Sequence, residues 1–181
     1  MGVDSSIDGS SSSARTITVC GLDGAGKSEI VCRLRSNAET PYIPIPTAGA
    51  QVYSMIVNSL PVKVYDMGGN AMYRDMWETF IQSSDGVVFV IDKSDKERMF
   101  RARQELEPII NTCAEMDIPL LIMANKADIE STLKVSDIEQ ISGALESKIV
   151  WTCQECSAKT GEGLISGFDW LIKSMPMKRR N

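Results

Sequence analysis

Short runs of apolar and β-branched residues recur along the chain and predict the strands of a sheet. Six such runs lie at residues 16–20, 51–57, 62–66, 86–92, 118–124 and 148–153. Those at 86–92 and 118–124 are almost wholly apolar, which is typical of strands buried on both faces. The second and third runs are joined by residues 58–61, and this short spacing predicts an antiparallel hairpin.

Between the strand-like runs lie segments whose apolar residues recur three and four positions apart, as in an amphipathic helix. They predict helices over 29–35, 95–115, 135–145 and 164–172, and an irregular helix over 72–82. Strands that alternate with helices indicate an α/β fold, a doubly wound, mostly parallel six-stranded sheet flanked by helices. In such folds, ligands bind at the carboxyl ends of the strands.

Composition divides the chain into one domain and two short ends. Residues 1–14 are rich in serine and glycine and predict a flexible N-terminal arm. Residues 15–175 carry the strand and helix patterns without an internal repeat, so we expect a single domain there. Residues 176–181 form a short basic tail, and the loop after the first helix, at 36–49, contains three prolines.

Charge and cysteine content exclude several classes of function. The 181 residues carry a net charge of −5, which argues against nucleic acid as a partner. No apolar run approaches the roughly 18 residues of a membrane span. Five cysteines without disulfide-scaffold density indicate reduced thiols and a cytoplasmic protein. Cys153 and Cys156 form an isolated C-x-x-C, but the chain has no histidine to complete a zinc site.

A glycine-rich loop between the first strand and the first helix is the strongest chemical signal. Residues 21–28 read G-x-x-x-x-G-K-S, the phosphate-binding loop pattern. Its backbone N–H groups and the helix N-terminus can bind phosphate oxygens. Lys27 would reach the β- and γ-phosphates, and the Ser28 hydroxyl would ligate Mg²⁺. The candidate phosphate-binding residues are Asp23, Gly24, Ala25, Gly26, Lys27 and Ser28. The alternative is a glycine turn that happens to precede a helix.

Two further motifs supply candidates for the metal and the γ-phosphate. Thr47, in the proline-rich loop, can bring its hydroxyl to Mg²⁺ and its N–H to the γ-phosphate. Asp66 ends a strand and can orient Mg²⁺ through water, and Gly69 can present its N–H to the γ-phosphate. Each of these motifs, taken alone, is more often an ordinary loop or turn.

Asn125-Lys126-Ala127-Asp128 points to a guanine base. The Asp128 carboxylate can accept hydrogen bonds from both N1–H and the 2-amino group of guanine, whereas adenine would leave it unpaired. The Lys126 stem can cover the base, and Asn125 can tie this loop to the phosphate loop. The alternative is that Asp128 caps a helix.

Ser157-Ala158-Lys159 follows the last predicted strand, where backbone N–H groups can meet the guanine O6, although alone it is a common loop. All five motifs occur in sequence, each at the expected element. Together they resemble the small GTPase superfamily over residues 16–174.

Several runs are most similar to the ADP-ribosylation-factor-like branch of that superfamily. They are the loop at 21–28, Pro46-Thr47-x-Gly49, Asp66-Met67-Gly68-Gly69, and Arg74 followed by Trp77. Residues 89–95, Trp151, 161–164 and 169–171 look most like its ciliary, Bardet–Biedl-associated members.

This resemblance implies a GTP/GDP switch with Mg²⁺ and GTPase activity, in which residues 37–49 and 67–82 are the switch segments. It implies an exchange factor, a GTPase-activating protein and effectors as partners, a ciliary coat complex among them. It also implies a role in membrane or ciliary trafficking.

The chain departs from the family at a catalytic position. The family usually has glutamine after the two glycines, where its amide orients the attacking water. Asn70 is one methylene shorter, so its amide falls short by roughly an ångström. With Asn70, Gly69 and Lys27 as the catalytic set, we expect slow hydrolysis. One alternative is a GTP-bound interaction module with negligible hydrolysis, and another is a small-molecule kinase, which leaves Asn125-Lys126-x-Asp128 unexplained.

Two departures concern surfaces. Ala50 and Tyr65 occupy positions where the family usually has phenylalanine and tryptophan, so the effector surface differs. The chain begins M-G-x-x-x-S, which fits N-myristoylation of Gly2, although a plain flexible terminus or a cloning scar explains it as well. Residues 3–14 lack the apolar stripe of a membrane helix. Reversible membrane association, with the cilium or its base as one site, would need the acyl chain and a second contact.

Overall fold

In the computed structural model, which describes residues 14–36, 43–130, 134, 136–138 and 149–176, the strands form one six-stranded sheet. The strands are β1 (Arg15–Gly21), β2 (Ala50–Val57), β3 (Leu60–Met67), β4 (Gly86–Asp92), β5 (Leu120–Asn125) and β6 (Trp151–Glu155). Their order is β2-β3-β1-β4-β5-β6, and only β2 runs antiparallel to its neighbour. The predicted doubly wound, mostly parallel sheet is confirmed.

Helices cover both faces of this sheet. They are α1 (Lys27–Ser36), a 3₁₀ helix (Ala71–Met76), α2 (Trp77–Gln82), α3 (Met99–Met116) and α4 (Leu164–Ser174). The irregular helix predicted over 72–82 is therefore a 3₁₀ segment followed by a short α-helix. Most of the helix predicted at 135–145 lies outside the described residues, although 136–138 are helical.

The core consists of two apolar clusters, one on each face of the sheet. Along β4, Val88 and Val90 join the cluster beneath α1 and α4, whereas Phe89 and Ile91 join the cluster beneath α2 and α3. Alternate residues of a strand point to opposite faces, so a strand that is apolar at every position can supply both clusters. This explains why residues 86–92 lack a polar face.

Several element boundaries differ from the sequence predictions by one or more residues, among them those of the hairpin turn, α3 and β6. The hairpin turn is only Asn58-Ser59, because both residues adopt the left-handed φ values of 48° and 66° that a two-residue turn requires, and the next two residues already pair with β2. Helix α3 begins at Met99 rather than 95, since the Asp95 carboxylate accepts the Arg98 N–H at 3.1 Å just before it. Strand β6 begins at Trp151, opposite Leu120 of β5.

The parallel strands end along one edge of the sheet, and this edge gathers the predicted motifs. Strand β1 ends at Gly21, β3 at Met67, β5 at Asn125 and β6 at Glu155. Gly21 must be glycine, because its φ is 138° and a Cβ there would lie 2.3 Å from the Val90 carbonyl oxygen. The chain thus passes so close to β4 at the end of β1 that a side chain at position 21 would not fit.

The structure also bears on the cysteines, on possible metal-binding groups and on membrane-spanning helices. None of the five cysteines forms a disulfide, and burial raises the pKa of Cys113 and of Cys156 to about 12. Within the described ranges, no group of three or more acidic or cysteine side chains could hold a metal ion. None of the helices described is long and apolar enough to cross a membrane.

Candidate functional site

The loop between β1 and α1 is shaped to accept an anion. Gly24 and Gly26 adopt the left-handed φ values of 74° and 94°, and a Cβ on Gly26 would lie 2.2 Å from Asn125 Nδ2. Helix α1 starts directly after Gly26, at Lys27. The first N–H groups of a helix have no partner within the helix, and the helix dipole places positive charge there. Backbone donors therefore converge where a phosphate would bind.

Lys27 brings a buried cation to this loop. Its side chain is 6% exposed, and Nζ donates to the Leu22 carbonyl oxygen at 2.9 Å. Burial lowers the pKa of Lys27, and the nearby Asp66 and Asp23 carboxylates partly oppose this. A buried ammonium whose hydrogen-bond partner is a neutral carbonyl is poorly compensated. An anionic ligand at the loop would stabilise it.

Oxygen-bearing side chains from three segments meet beside Lys27. Ser28 Oγ and Thr47 Oγ1 lie 2.8 Å apart, so the proline-rich loop reaches the start of α1. Asp66, at the end of β3, is 0% exposed. Neither of its carboxylate oxygens forms a well-aligned hydrogen bond to a described residue.

The environment of Asp66 fits a hard cation. Burial raises the pKa of this carboxyl, and the nearby Ser28 hydroxyl and Lys27 ammonium only partly offset the effect. An unpaired buried carboxylate is costly, and Mg²⁺ takes oxygen ligands, several of them commonly water or phosphate. Ser28, Thr47 and Asp66 therefore fit Mg²⁺ without a cluster of carboxylates.

The turn after β3 packs against the phosphate loop. The Gly68 N–H donates to the Gly49 carbonyl oxygen at 2.7 Å, which joins this turn to the loop that carries Thr47. A Cβ on Gly69 would lie 2.4 Å from the Asp23 nitrogen and 2.5 Å from Lys27 Nζ. Gly69 is therefore the residue of this turn that touches the loop, and a side chain there would force the two apart.

Two arginines for which the sequence predicted no role at the site bind Asp23 at its edge. Arg74 Nε donates to the Gly69 carbonyl oxygen at 2.9 Å, and its Nη2 lies 3.4 Å from Asp23 Oδ1. Arg98 Nη1 is 3.1 Å from both the carbonyl oxygen and Oδ2 of Asp23. In the sequence, Arg74 is part of the family pattern with Trp77, and that pattern predicts no partner for it. Arg98 gave no signal, because it is 75 residues from its partner.

Asn70 has a structural role, as a helix cap, that its motif did not predict. Its Oδ1 accepts the Met72 N–H at 3.2 Å and caps the 3₁₀ helix. The side chain is exposed. The amide is therefore folded back along its own segment rather than extended over the loop.

Asn125 joins three loops at the other end of the site. It is fully buried, its Nδ2 donates to the Ala25 carbonyl oxygen at 2.8 Å, and its Oδ1 accepts the Ala158 N–H at 2.9 Å. The structure thus contains the tie between this motif and the phosphate loop that the sequence led us to expect. It also adds a tie to the loop after β6.

Asp128 and Lys126 are each held by a charged or hydroxyl partner. Ser157 Oγ donates to Asp128 Oδ1 at 2.6 Å and lowers the pKa of that carboxyl, and Lys159 Nζ lies 3.8 Å from Oδ2. Lys126 has φ 67°, and its Nζ donates to Asp92 Oδ2 at 2.7 Å. The carboxylate therefore stays ionised, with Oδ2 as its less occupied oxygen.

Every candidate nucleotide or metal residue lies at this edge of the sheet. Gly2 and residues 37–42 of the first predicted switch segment lie outside the described residues.

Comparison with known proteins agrees with this arrangement. The sequence matches the ADP-ribosylation factor family over residues 3–175. It is 34% identical over 161 residues to ADP-ribosylation factor-like protein 2 of Arabidopsis thaliana, covering 88% of this chain and 86% of that protein. It is 30% identical over 165 residues to ADP-ribosylation factor K of Dictyostelium discoideum, covering 90% and 86%.

A solved structure shares the fold. The Arl6 BBS3 small GTPase of Trypanosoma brucei, with the bound nucleotide analogue GppNp, superposes with a TM-score of 0.79 over 90% of this chain and 97% of that one. Identity is 24%, so this match supports the fold alone. The family match spans nearly the whole chain, and the site described above lies within it. The chain therefore belongs to the ADP-ribosylation factor family of small GTPases and is a nucleotide-binding switch.

Proposed function

We propose that the chain binds GTP and GDP with Mg²⁺ at the carboxyl edge of the sheet. The observation that carries this is the buried Asp66 carboxylate beside Lys27 and the paired Ser28 and Thr47 hydroxyls. Residues 23–28 would bind the phosphates, with Lys27 on the β- and γ-phosphates. Ser28 and Thr47 would ligate Mg²⁺ directly and Asp66 through water. The bound metal would neutralise phosphate charge.

Guanine selection would rest on Asp128. Ser157 donates to one carboxylate oxygen and keeps the group ionised, so it can accept from two guanine N–H donors. The Lys126 stem would cover the base, and the backbone of Ser157, Ala158 and Lys159 would face the guanine O6. Asn125 would act by holding these loops against the phosphate loop.

Switching would pass through Thr47 and Gly69. Both could contact the γ-phosphate, and Gly68 already joins their two segments through the Gly49 carbonyl oxygen. Loss of the γ-phosphate would release residues 37–49 and 67–82, which is the usual consequence of hydrolysis in such switches. Exchange factors, GTPase-activating proteins and effectors bind family members generally, and we expect those of this chain to contact these segments.

Hydrolysis would be slow. Water attack needs an oriented nucleophile, and the shorter Asn70 amide is engaged in capping the 3₁₀ helix. Gly69 and Lys27 would still stabilise the transferred phosphoryl group. The Asn70 contact also favours a second candidate, a GTP-bound interaction module with negligible hydrolysis. A single-turnover assay distinguishes the two.

Residues 15–175 would form the GTP-binding domain, preceded by an arm at 1–14 and followed by a basic tail at 176–181. Myristoylation of Gly2 would give a cytoplasmic protein reversible membrane association, because one acyl chain binds membranes only marginally. A role in membrane or ciliary trafficking, with a ciliary coat complex as effector, is supported by the sequence at 89–95, 161–164 and 169–171.

The Asp128 carboxylate should set base preference. Wild type should favour GTP over ATP by several kcal/mol, roughly a thousandfold or more, since adenine offers the Asp128 carboxylate no matching pair of N–H donors. Asp128→Asn should weaken guanine binding and admit xanthine nucleotides. Competition binding with labelled GDP measures both, and Asp117→Asn, at the far end of α3 where φ is 54°, is the matched control. Equal affinities of wild type for GTP and ATP would contradict the proposal.

The buried Asp66 carboxylate should lower the folding stability of the nucleotide-free protein, although it supports metal binding. Because its folded-state pKa is raised, wild type loses stability as pH rises from the ordinary aspartate range through that raised pKa. Nucleotide-free Asp66→Asn should therefore be more stable at neutral pH by about 1 kcal/mol, with the difference vanishing in acid. Urea denaturation in chelator across pH tests this.

The same Asp66→Asn variant should lose Mg²⁺-dependent retention of nucleotide, measured as the release rate of a fluorescent GDP with and without Mg²⁺. Asp117→Asn again serves as control. Unchanged metal dependence in Asp66→Asn would remove Asp66 from the metal site.

Position 70 should limit hydrolysis. Asn70→Gln should accelerate single-turnover GTP hydrolysis by up to about a hundredfold, the penalty that a misplacement of ~1 Å can carry. Asn70→Asp keeps the acceptor that caps Met72 but lacks the amide donor, so it should be no faster than wild type. If Asn70→Gln and Asn70→Ala both match wild type, position 70 does not position water. Fast unassisted turnover by wild type would contradict slow hydrolysis directly.

Gly2→Ala should reduce membrane recovery in cells and leave nucleotide affinity unchanged. Fractionation measures the first effect and GDP binding the second. An unmodified N-terminus, found by mass spectrometry of the native protein, would rule out lipidation.

A further inference from the structure

Three successive peptide groups around Gly69 are each held by a different segment. The Gly68 N–H donates to the Gly49 carbonyl oxygen at 2.7 Å, which fixes the peptide before Gly68. The Gly69 carbonyl oxygen accepts Arg74 Nε at 2.9 Å, which fixes the peptide after Gly69. The middle peptide joins Gly68 to Gly69, and its carbonyl oxygen accepts Trp77 Nε1 at 3.0 Å.

Trp77 is set to hold that carbonyl in one direction. The side chain is 3% exposed and belongs to the cluster beneath α2 and α3. Its ring packs edge to face against Phe89 of β4, with centroids 6.4 Å apart. The indole N–H is a donor only, so it can serve no second partner. A core residue on α2 thus aims one polar atom at the turn.

The hydrogen bond from Trp77 also determines the direction of the N–H group of the same peptide, which belongs to Gly69. No cis peptide bonds occur in the described chain, and a trans peptide directs its C=O and N–H to opposite sides. Since Trp77 binds the Gly68 carbonyl, the Gly69 N–H points away from Trp77. Gly69 itself lies against Asp23 and Lys27 of the phosphate loop. No hydrogen bond within the described part of the chain uses the Gly69 N–H.

We propose that Trp77 is a positioning residue for the γ-phosphate: its indole N–H fixes the Gly68–Gly69 peptide so that the Gly69 N–H is held ready for a phosphate oxygen. This inference rests on the proposed function. Discrimination between GTP and GDP then depends on a buried side chain that touches neither nucleotide. GDP has no γ-phosphate, so its affinity should not depend on the Trp77 N–H.

The experiment removes the indole N–H and keeps the aromatic volume. The variants are Trp77→Phe and a protein with benzothienylalanine at 77, which replaces the N–H by sulfur and preserves ring size. Trp170→Phe is the matched control, because Trp170 lies on α4 and packs against the cluster on the opposite face of the sheet. The affinities for GDP and for a non-hydrolysable GTP analogue are measured with Mg²⁺ in each protein, together with the thermal midpoint.

Both Trp77 variants should bind the analogue about threefold to tenfold less well relative to GDP, the loss expected when one neutral hydrogen bond no longer orients a group. GDP affinity should be unchanged, and Trp170→Phe should match wild type throughout. In amide NMR spectra, the analogue-dependent shift of the Gly69 resonance should shrink in the Trp77 variants. Benzothienylalanine keeps the test valid if Trp77→Phe does not fold.

An unchanged ratio in a folded Trp77 variant would overturn the inference. Equal losses for GDP and the analogue would also overturn it, since Trp77 would then be only a packing residue. If wild type itself does not bind the analogue with Mg²⁺, the proposed function fails and the inference with it. If wild type binds the analogue and the Trp77 variants bind it equally well, only the role of Trp77 is refuted and the proposed function stands.

Discussion

The site depends on one buried amide. Asn125 donates to the phosphate loop at Ala25 and accepts from the loop after β6 at Ala158, so a single side chain sets the spacing of three loops. Its Nδ2 occupies the space that a Cβ on Gly26 would need. Gly26 and Asn125 therefore depend on each other, since any larger residue at 26 would displace the amide that ties the three loops together.

The sequence was most informative where periodicity and motif order coincide. The six strands, the antiparallel hairpin and the gathering of motifs at one edge follow from apolar runs and from the geometry of parallel strands. Element ends were less predictable, because they depend on local contacts such as the Asp95 carboxylate before α3. The two arginines on Asp23 and the capping by Asn70 gave no periodic signal, as they arise from contacts between segments or within a single turn.

Burial leaves two charges of the site poorly compensated in the protein alone. Lys27 has its pKa lowered and Asp66 has its pKa raised, in each case chiefly by burial. Each group would be stabilised by a ligand of opposite charge, an anion for the ammonium and a cation for the carboxylate. The same electrostatics that weaken the unliganded chain thus favour a phosphate with its metal, so folding stability and binding are linked.

The three peptides held around Gly69 have a consequence for divergence. In the proposed switch, the γ-phosphate is sensed there by main-chain N–H, which is present whatever the neighbouring side chains are. Substitutions at solvent-facing positions such as Asn70, or at Ala50 on β2, can then alter the lifetime of a state or the choice of partner without erasing the ability to tell two nucleotides apart. A lineage could in this way lose speed as an enzyme and remain accurate as a sensor.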